Sequence, residues 1–405
     1  MSDVPREVII EILSRLPVIS LLKFRCVSKA FKTLIDSPKF IKAHIKQQQE
    51  RNPNAHLNLF LKAHNESDNL FSLEFTSNTS TQHHPKVLDH PLKQLDGPTQ
   101  VLGSCRGLVL ISNSMSDNGV WNPSTKRFRK LPVWEFNPSR NSSGRAPHEW
   151  GPGFMQISGG FGYDKDGEDY KVVTIGQWYH PDDEPKMVSE VMVYSLRYGG
   201  WKKVEDSPYW LVKEENGTAA GGALYWLVTK EPFSCVRSLI LVGLNLGTER
   251  FEKVPFPVGL GKPFQLNLAV LGKCLCLISG YCISAKNHVL DHVDMWMMKD
   301  CGVEQSWVKL FTVEQLDGRQ NFSSLKPIAY SGTGKEVLLE MDNTKLLWYS
   351  LEKKSVKPAK VSGGLEAFES FVNLGTLVPL YYGGGDEKGT KKGMEERDDS
   401  VIEEL

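Results

Sequence analysis

Apolar positions follow two different periods along the chain. Over residues 4–46 they recur at helical spacing: Val8, Ile12 and Leu16 share a face by i, i+4 steps, with Ile9 and Leu13 beside them. Pro5 suits a first helical turn, where its missing N–H loses no partner. Pro17 closes that helix, because the residue before a proline resists the α region. Ser20 is placed to cap a second helix carrying Leu21, Leu22, Phe24 and Cys26, and Ser28 a third carrying Phe31, Leu34 and Ile35. Ser37-Pro38 opens a fourth through Phe40, Ile41, His44 and Ile45. The polar run QQQERNPN (47–54) ends in turn residues and assigns a linker to 47–55.

From residue 56 the period shortens. Apolar runs alternate with turn clusters in one recurring order: an apolar strand, a polar turn, an aromatic or apolar residue, then a basic-flanked strand. GVWNPSTKRFRKLP, VMVYSLRYGGWKKV, LVGLNLGTERFEKVPFP, DMWMMKDCGVEQSWVKLF and LLWYSLEKKSVKPAKV all read this way, each as a β-hairpin. Their closing residues Phe128, Trp201, Phe251, Trp307 and Val356 step along at intervals of roughly 50 to 70, near the spacing of kelch-type blades. Second strand pairs lie between them: SCRGLVLIS, DYKVVTIG, GGALYWLV, GKCLCLIS and GKEVLLEM. HLNLFLKA with LFSLEF (56–75) starts the series, and SFVNLGTLVPL (370–380) offers a strand to close it. The pattern predicts a small all-α domain at 1–46 and an all-β domain at 56–380, a β-propeller of about six blades. Radial closure leaves few free sheet edges. A large β-sandwich is the alternative, with less regular spacing. Residues 381–405, Gly-rich and then charged, are expected to be a disordered tail.

Composition narrows the role. Lys+Arg and Asp+Glu are equal at 48 each among 405 residues, which argues against a coat for nucleic acid or an anionic membrane. No run of about 18 apolar residues exists, so no membrane span is expected; LAVLGKCLCLI (268–278) is short and interrupted by Lys273. The start is not a signal peptide, since Asp3, Arg6 and Glu7 precede a helix pattern. The 7 Cys are odd in number and scattered, as in reduced proteins of the cytoplasm or nucleus. Without secretion, the N-x-S/T sequons at Asn65, Asn78, Asn141, Asn216 and Asn321 carry no meaning.

Candidate chemistry is sparse. Cys274, Cys276 and Cys282 form C-x-C-x5-C, with Cys274 and Cys276 on one face of a strand, yet zinc wants a fourth ligand and none has suitable spacing. Buried thiols are the better account. His83-His84 and the pair His288 and His292 read as solvated loop or turn residues rather than ligands. Asp164, Asp166, Glu168 and Asp169 outline a calcium loop, but an EF-hand needs flanking helices and a terminal bidentate Glu. SGTGKE (331–336) and GGGDEKGTKK (383–392) do not fit the phosphate-loop pattern, and no G-x-S-x-G occurs. No metal, cofactor or catalytic site is expected.

The opening stretch LPVISLLKFRCVSKAFKTLI resembles the plant form of the F-box. The body resembles the F-box-associated interaction domain of plant F-box/kelch-like proteins through SCRGLVLIS, VWNPSTKRFRKLP, FGYDKDGEDYKVV, VYSLRYGGWKKV and GGALYWLV, in that order. Val4 stands where the family usually has Leu and Phe31 where it usually has Trp, both apolar replacements by smaller side chains. The resemblance implies the substrate-recognition subunit of a Skp–cullin–F-box ubiquitin ligase. The F-box would dock on a Skp-type adaptor and, through it, reach cullin and RING subunits, while the β-domain holds an unidentified target protein. The adaptor-binding residues it implies are Pro5, Ile9, Ile12, Leu13, Leu16, Pro17, Leu21, Leu22, Cys26, Val27 and Phe31. This fits the physical expectation: a unit of about 45 residues is too small to bury its own apolar surface, and what is left over is a docking face.

For the target face, the inter-strand loops 134–154, 177–188 and 207–215 are long and carry Trp134, Trp150, Trp178, Tyr179, Tyr209 and Trp210, residue types that anchor interfaces. The competing reading is a propeller enzyme or lectin acting on carbohydrate, which would need a carboxylate pair at a central pocket.

Overall fold

The computed structural model describes residues 5–50, 56–64, 69–76, 83–93, 98–113, 117–134, 154–179, 187–212, 215–232, 236–282, 289–314, 322–362 and 366–381. Four short helices open the chain: α1 (Arg6–Ser14), α2 (Val18–Phe24), α3 (Lys29–Ile35) and α4 (Pro38–Glu50). Ser28 caps α3, its hydroxyl accepting the Phe31 N–H at 3.2 Å, and Ser37 does the same for Phe40 at 3.3 Å. Ser20 is not a cap. It lies inside α2, which starts straight after Pro17, because a proline with φ near −59° already points the chain into a helix. α4 runs to Glu50, past the expected start of the linker, since Lys, Gln and Glu are all good helix formers. The remainder of the expected linker, and of the expected tail beyond residue 381, lies outside the described residues.

The β-domain is a six-bladed propeller: six separate antiparallel sheets, each of four or five strands. Blade 1 contains β1 (His56–Ala63), β2 (Leu70–Thr76) and β3 (Lys86–Val87). Blade 2 has β4 (Gln100–Cys105), β5 (Leu108–Ser112), β6 (Asn118–Asn122) and β7 (Arg127–Lys130). Blade 3 has β8 (Phe154–Asp164), β9 (Asp169–Tyr179), β10 (Met187–Ser195) and β11 (Gly200–Lys203). Blade 4 splits its inner strand into β12 (Trp210–Leu211) and β13 (Thr218–Ala220), followed by β14 (Ala223–Thr229), β15 (Ile240–Asn245) and β16 (Phe251–Val254). Blade 5 has β17 (Gln265–Leu271), β18 (Cys274–Tyr281), β19 (His292–Met298) and β20 (Trp307–Glu314); blade 6 has β21 (Leu325–Tyr330), β22 (Glu336–Met341), β23 (Lys345–Ser350) and β24 (Ser355–Pro358). The last strand, β25 (Phe368–Asn373), returns to blade 1 and pairs with β1, Asn58 opposite Asn373. The ring is thus closed by hydrogen bonds between its two ends.

Strand alternation turns each blade into a two-faced apolar plate, and neighbouring plates share those faces. Phe60 and Trp121 belong to one apolar cluster between blades 1 and 2, Val173 and Leu244 to one between 3 and 4, Leu241 and Leu277 between 4 and 5, Ile278 and Leu339 between 5 and 6, and Leu338 and Leu61 between 6 and 1. The outer strands carry lysines paired with acids elsewhere in the same blade or in the next: Lys130 with Asp117 at 2.6 Å, Lys202 with Glu249 at 2.6 Å, Lys309 with Asp294 at 2.7 Å and Lys357 with Glu336 at 2.7 Å. Lysine on an exposed edge blocks pairing with another sheet.

Strand direction gives the propeller two distinct faces. The turns that link β4 to β5, β6 to β7, β8 to β9 and β10 to β11 lie on one face. The strand ends that lead from one blade to the next lie on the other. The helices sit on the first, here the near face: Lys42 of α4 pairs with Glu168 in the β8–β9 turn, and Val18 of α2 packs beside Gly375, just beyond β25. Leu13, Val18, Leu21, Ile35, Phe40 and Ile41 form one continuous core with Leu108, Val120, Phe161, Tyr170 and Tyr194, the wedge between blades 2 and 3.

Candidate protein-docking faces

That continuous core divides the helical apolar residues in two. Leu13 and Leu21 are 3% and 0% exposed and lie inside it, out of a partner's reach. This corrects their expected place on the adaptor face. The helices do lack the mass to bury themselves, but the propeller covers one of their sides. Ile9, Leu16, Leu22 and Phe31 are half-buried against the same core. Pro5, Ile12, Pro17, Cys26 and Val27 are exposed, Ile12 to 54% and Val27 to 67%. Val8, Ile19 and Phe24 are exposed too and were missed. The signal for them was the width of the apolar stripe, which is broader than one buried side needs. Phe24 and Phe31 lie 5.8 Å apart in a tilted pair, and an ion pair of 2.6 Å between Arg25 and Asp36 ties the end of α2 to the end of α3. The helices thus leave Val8, Ile12, Ile19, Phe24 and Val27 open on the side the propeller does not cover. His44 braces the helices from within, its Nε2 donating to the Leu16 carbonyl at 2.9 Å. Burial holds the His44 imidazole below its usual pKa, against the opposing pull of that hydrogen bond.

The far face carries a second apolar surface at blades 3 and 4. Gln156 and Gln177 hold β8 and β9 against β12: Gln156 Nε2 donates to the Leu211 carbonyl at 2.6 Å, and Gln177 Oε1 accepts the Leu211 N–H at 2.9 Å. This frame packs Tyr179 edge-on to Trp210, with centroids 5.9 Å apart. Trp210 is buried and serves as the floor, which corrects its expected role as a contact residue. Tyr179, Trp178 and Trp134 are half-buried, and Tyr209 lies under the Lys253 ammonium at 5.8 Å. Trp150 lies outside the described residues. Phe154, 57% exposed, and Met155 stand opposite Tyr179 and Trp178 in the β8–β9 register and are the most open apolar groups there. Phe154 closes the 134–154 loop and both begin β8, but neither is a Trp or Tyr, the residue types the sequence pattern singles out there.

A central channel of about 1240 Å³ connects the faces, lined by the inner strands of all blades. Its most deeply buried carboxylate, Glu340, accepts the Ser370 N–H at 2.7 Å and the Ser370 hydroxyl. The residues singled out for other chemistry have structural partners. Burial pushes the Cys276 thiol up to about 12, and Cys276 belongs to the core between blades 5 and 6. Asp164 Oδ1 accepts the N–H groups of Asp166 and Gly167 at 3.0 Å each, which makes the acidic run a hairpin turn. His83 Nδ1 donates to the Glu74 carbonyl at 2.8 Å, and His292 stacks on Tyr281 at 4.6 Å. SGTGKE forms the β21–β22 turn, while His288 and residues 383–392 lie outside the described residues. No helix among the described residues is long and apolar enough to cross a membrane.

The chain belongs to the F-box proteins that carry an F-box associated beta propeller domain. The family model of the F-box domain matches residues 1–43, and that of the F-box associated beta propeller domain matches residues 57–374. F-box protein CPR1 of Arabidopsis thaliana is 32% identical over 93% of this chain and 89% of its own length. F-box protein At4g22390 of the same plant is 28% identical over 92% of this chain and 88% of its own. Among solved structures, an oligogalacturonate lyase in complex with manganese covers 72% of this chain and 74% of its own at 13% identity, with a TM-score of 0.37, too loose a likeness to bear on activity.

Proposed function

We propose that this protein is the non-catalytic substrate receptor of a Skp–cullin–F-box ubiquitin ligase, working in the cytoplasm and nucleus. The observation that carries the reading is the outward apolar face of the helices. Ile12, Val27, Ile19, Val8 and Phe24 stay exposed although the propeller already covers the other side of the same helices. A Skp-type adaptor is the occupant, with Pro5, Ile9, Leu16, Pro17, Leu22, Cys26 and Phe31 at or under the contact. Cullin and RING subunits follow through the adaptor. The far face of the propeller then holds the target protein, with Phe154, Met155, Trp178, Tyr179 and Tyr209 as the described surface and Trp134 and Trp150 beside it in sequence.

The mechanism is proximity. Two surfaces on opposite sides of one rigid body hold a target lysine near a ubiquitin thioester carried by another subunit. Tethering raises effective concentration and needs no reacting group on this chain. The test is to mix the full chain with a purified plant Skp-type adaptor and follow the mixture by gel filtration. A stable one-to-one complex is expected. Two separate peaks at micromolar concentration would refute the reading.

A further inference from the structure

The open side of the helices carries charge as well as apolar groups. Residues 5–50 hold nine Lys and Arg against four Asp and Glu. The ion pairs of this unit engage Arg15, Arg25 and Lys42. Arg6, Lys23, Lys29, Lys32 and Lys39 are exposed. Lys23 stands one turn beyond Ile19 on α2, and Lys29 two residues beyond Val27, so cations border the apolar groups that the propeller leaves uncovered. A surface both apolar and positive fits a segment both apolar and negative.

This chain contains such a segment. Residues 394–405, MEERDDSVIEEL, hold six acids and one base. Val401 and Leu405 are one helical turn apart with Ile402 beside them, the spacing of a short amphipathic helix. The chain that leads to it is strapped down beside α2. Gly375 lies between Val18 and Ser124, and Asn122 Nδ2 donates to the carbonyls of Thr376 at 3.2 Å and Val378 at 2.9 Å. Leu377, Val378 and Leu380 then enter the core that the helices share with blades 2 and 3, and the Arg129 guanidinium lies over the Tyr381 ring at 5.3 Å. Twelve residues, five of them glycine, separate Tyr381 from Met394. A Gly-rich chain of that length spans about 20 Å on average, more than the roughly 14 Å length of a nine-residue helix such as α1.

We propose that residues 394–405 fold back onto the helices of the same molecule and compete with the adaptor for them. Val401, Ile402 and Leu405 meet Ile19, Phe24 and Val27, and the acids meet Lys23, Lys29 and Lys32. An amphipathic helix laid on an apolar face is a recurring mode of recognition. The tether supplies a high effective concentration, so a weak contact suffices. The competition rests on the receptor reading, whereas the contact itself does not.

The experiment treats the full chain at micromolar concentration with a zero-length carbodiimide and maps the new amide links by mass spectrometry. Links from Lys23, Lys29 or Lys32 to acids of 395–404 are expected, and excess adaptor should suppress them. Full-length Glu395→Gln, Glu396→Gln, Asp398→Asn, Asp399→Asn, Glu403→Gln, Glu404→Gln should bind the adaptor about fivefold more tightly, as for a receptor open one-fifth of the time. Val401→Ser with Ile402→Ser should shift affinity the same way. Unchanged melting midpoints show that the variants remain folded. Tail links that are absent, or spread evenly over the propeller lysines, overturn the proposal. Links between isotopically heavy and light copies overturn it too, since the segment then occupies a second molecule. An adaptor complex indifferent to both tail variants removes only this inference. Helix–tail links without any adaptor complex remove the receptor reading and leave the contact standing.

Discussion

Lys42 in α4 and Glu168 in the β8–β9 turn are ion-paired at 2.6 Å across the boundary between the helices and the propeller. The Lys42 ammonium holds the Glu168 carboxyl below the usual carboxylate range. Both side chains remain half-exposed, so water and salt screen the pair. The apolar contact beside it is a stronger fastening, because Val18 and Leu21 are buried in the wedge between blades 2 and 3. Glu168→Lys is therefore expected to move the thermal midpoint by only about 1 °C. Val18→Asp should loosen the helices from the propeller, seen as rapid protease cleavage near residues 51–55 with the β-type circular dichroism retained. A large loss of stability in Glu168→Lys would show that the charge, not the wedge, holds the domains together.

Ile12 and Leu13 are neighbours in sequence with opposite expected phenotypes. Ile12→Asp places a carboxylate on the open face, so the fold should survive while adaptor affinity falls at least about thirtyfold. Leu13→Ala opens a cavity in the core and should cost roughly 2–4 kcal/mol of stability, visible as a lower urea midpoint. Calorimetric titration with the adaptor separates the two. If Ile12→Asp binds like wild type, the docking face lies elsewhere.

The buried His44 predicts a pH dependence. Its folded pKa lies below the unfolded value near 6.5, so the unfolded chain binds the proton more readily. Stability from this group is complete above about pH 6.5 and declines as pH falls through that value towards the lower folded pKa. Its Nδ1 is buried without a hydrogen-bond partner, so the imidazolium would hold an unpaired N–H in apolar surroundings. The urea midpoint should fall between pH 7 and 5 and fall less in His44→Gln. His83, also held low by burial, leaves a residual slope in the variant. Equal slopes in both proteins would show that His44 is not responsible.

Lys171 joins blades 3 and 4. Its Nζ lies 3.2 Å from Asp164 and 3.1 Å from Glu249, with little of any of the three side chains exposed. Burial raises both carboxyls, yet hydrogen bonds from the Gly167 N–H and Lys171 to Asp164, and from Lys202 and Lys171 to Glu249, leave each below its usual range. Lys171→Met leaves buried Asp164 with only its N–H donors and Glu249 with Lys202 alone, and should cost about 3 kcal/mol, while binding of the adaptor to the folded fraction is unchanged. A variant as stable as wild type would show that water replaces the lysine.

Much of this architecture could be read from the linear pattern, because the interactions behind it are local. Ser28 and Ser37 announce helix starts through bonds to residues three positions on. The hairpins were legible because turn residues and alternating apolar residues lie next to one another, and Trp201 does pair with Tyr194 across β10 and β11. Even the closing strand was visible, as an apolar run with no partner of its own until β25 met β1. The same locality explains the misplaced Ser20 cap, since Pro17 set the helix start first.

What the chain order settled, then, was that there would be helices, hairpins and a ring, because those depend on neighbours within a few residues. The tertiary structure decided which side of each element faces outward. Leu13 and Ile12 have nearly the same character, and only the arrival of blades 2 and 3 buries one and leaves the other open. Trp210 reads as a contact residue until Tyr179 and the glutamine pair place it beneath the surface, while Phe154, at the start of a strand, is left on top. The acids that line the channel come from blades far apart in sequence, Glu215 in blade 4, Glu340 in blade 6 and Glu369 on the returning strand. Periodicity encodes how a segment is amphipathic. Which partner covers it is set by contacts that no local spacing contains.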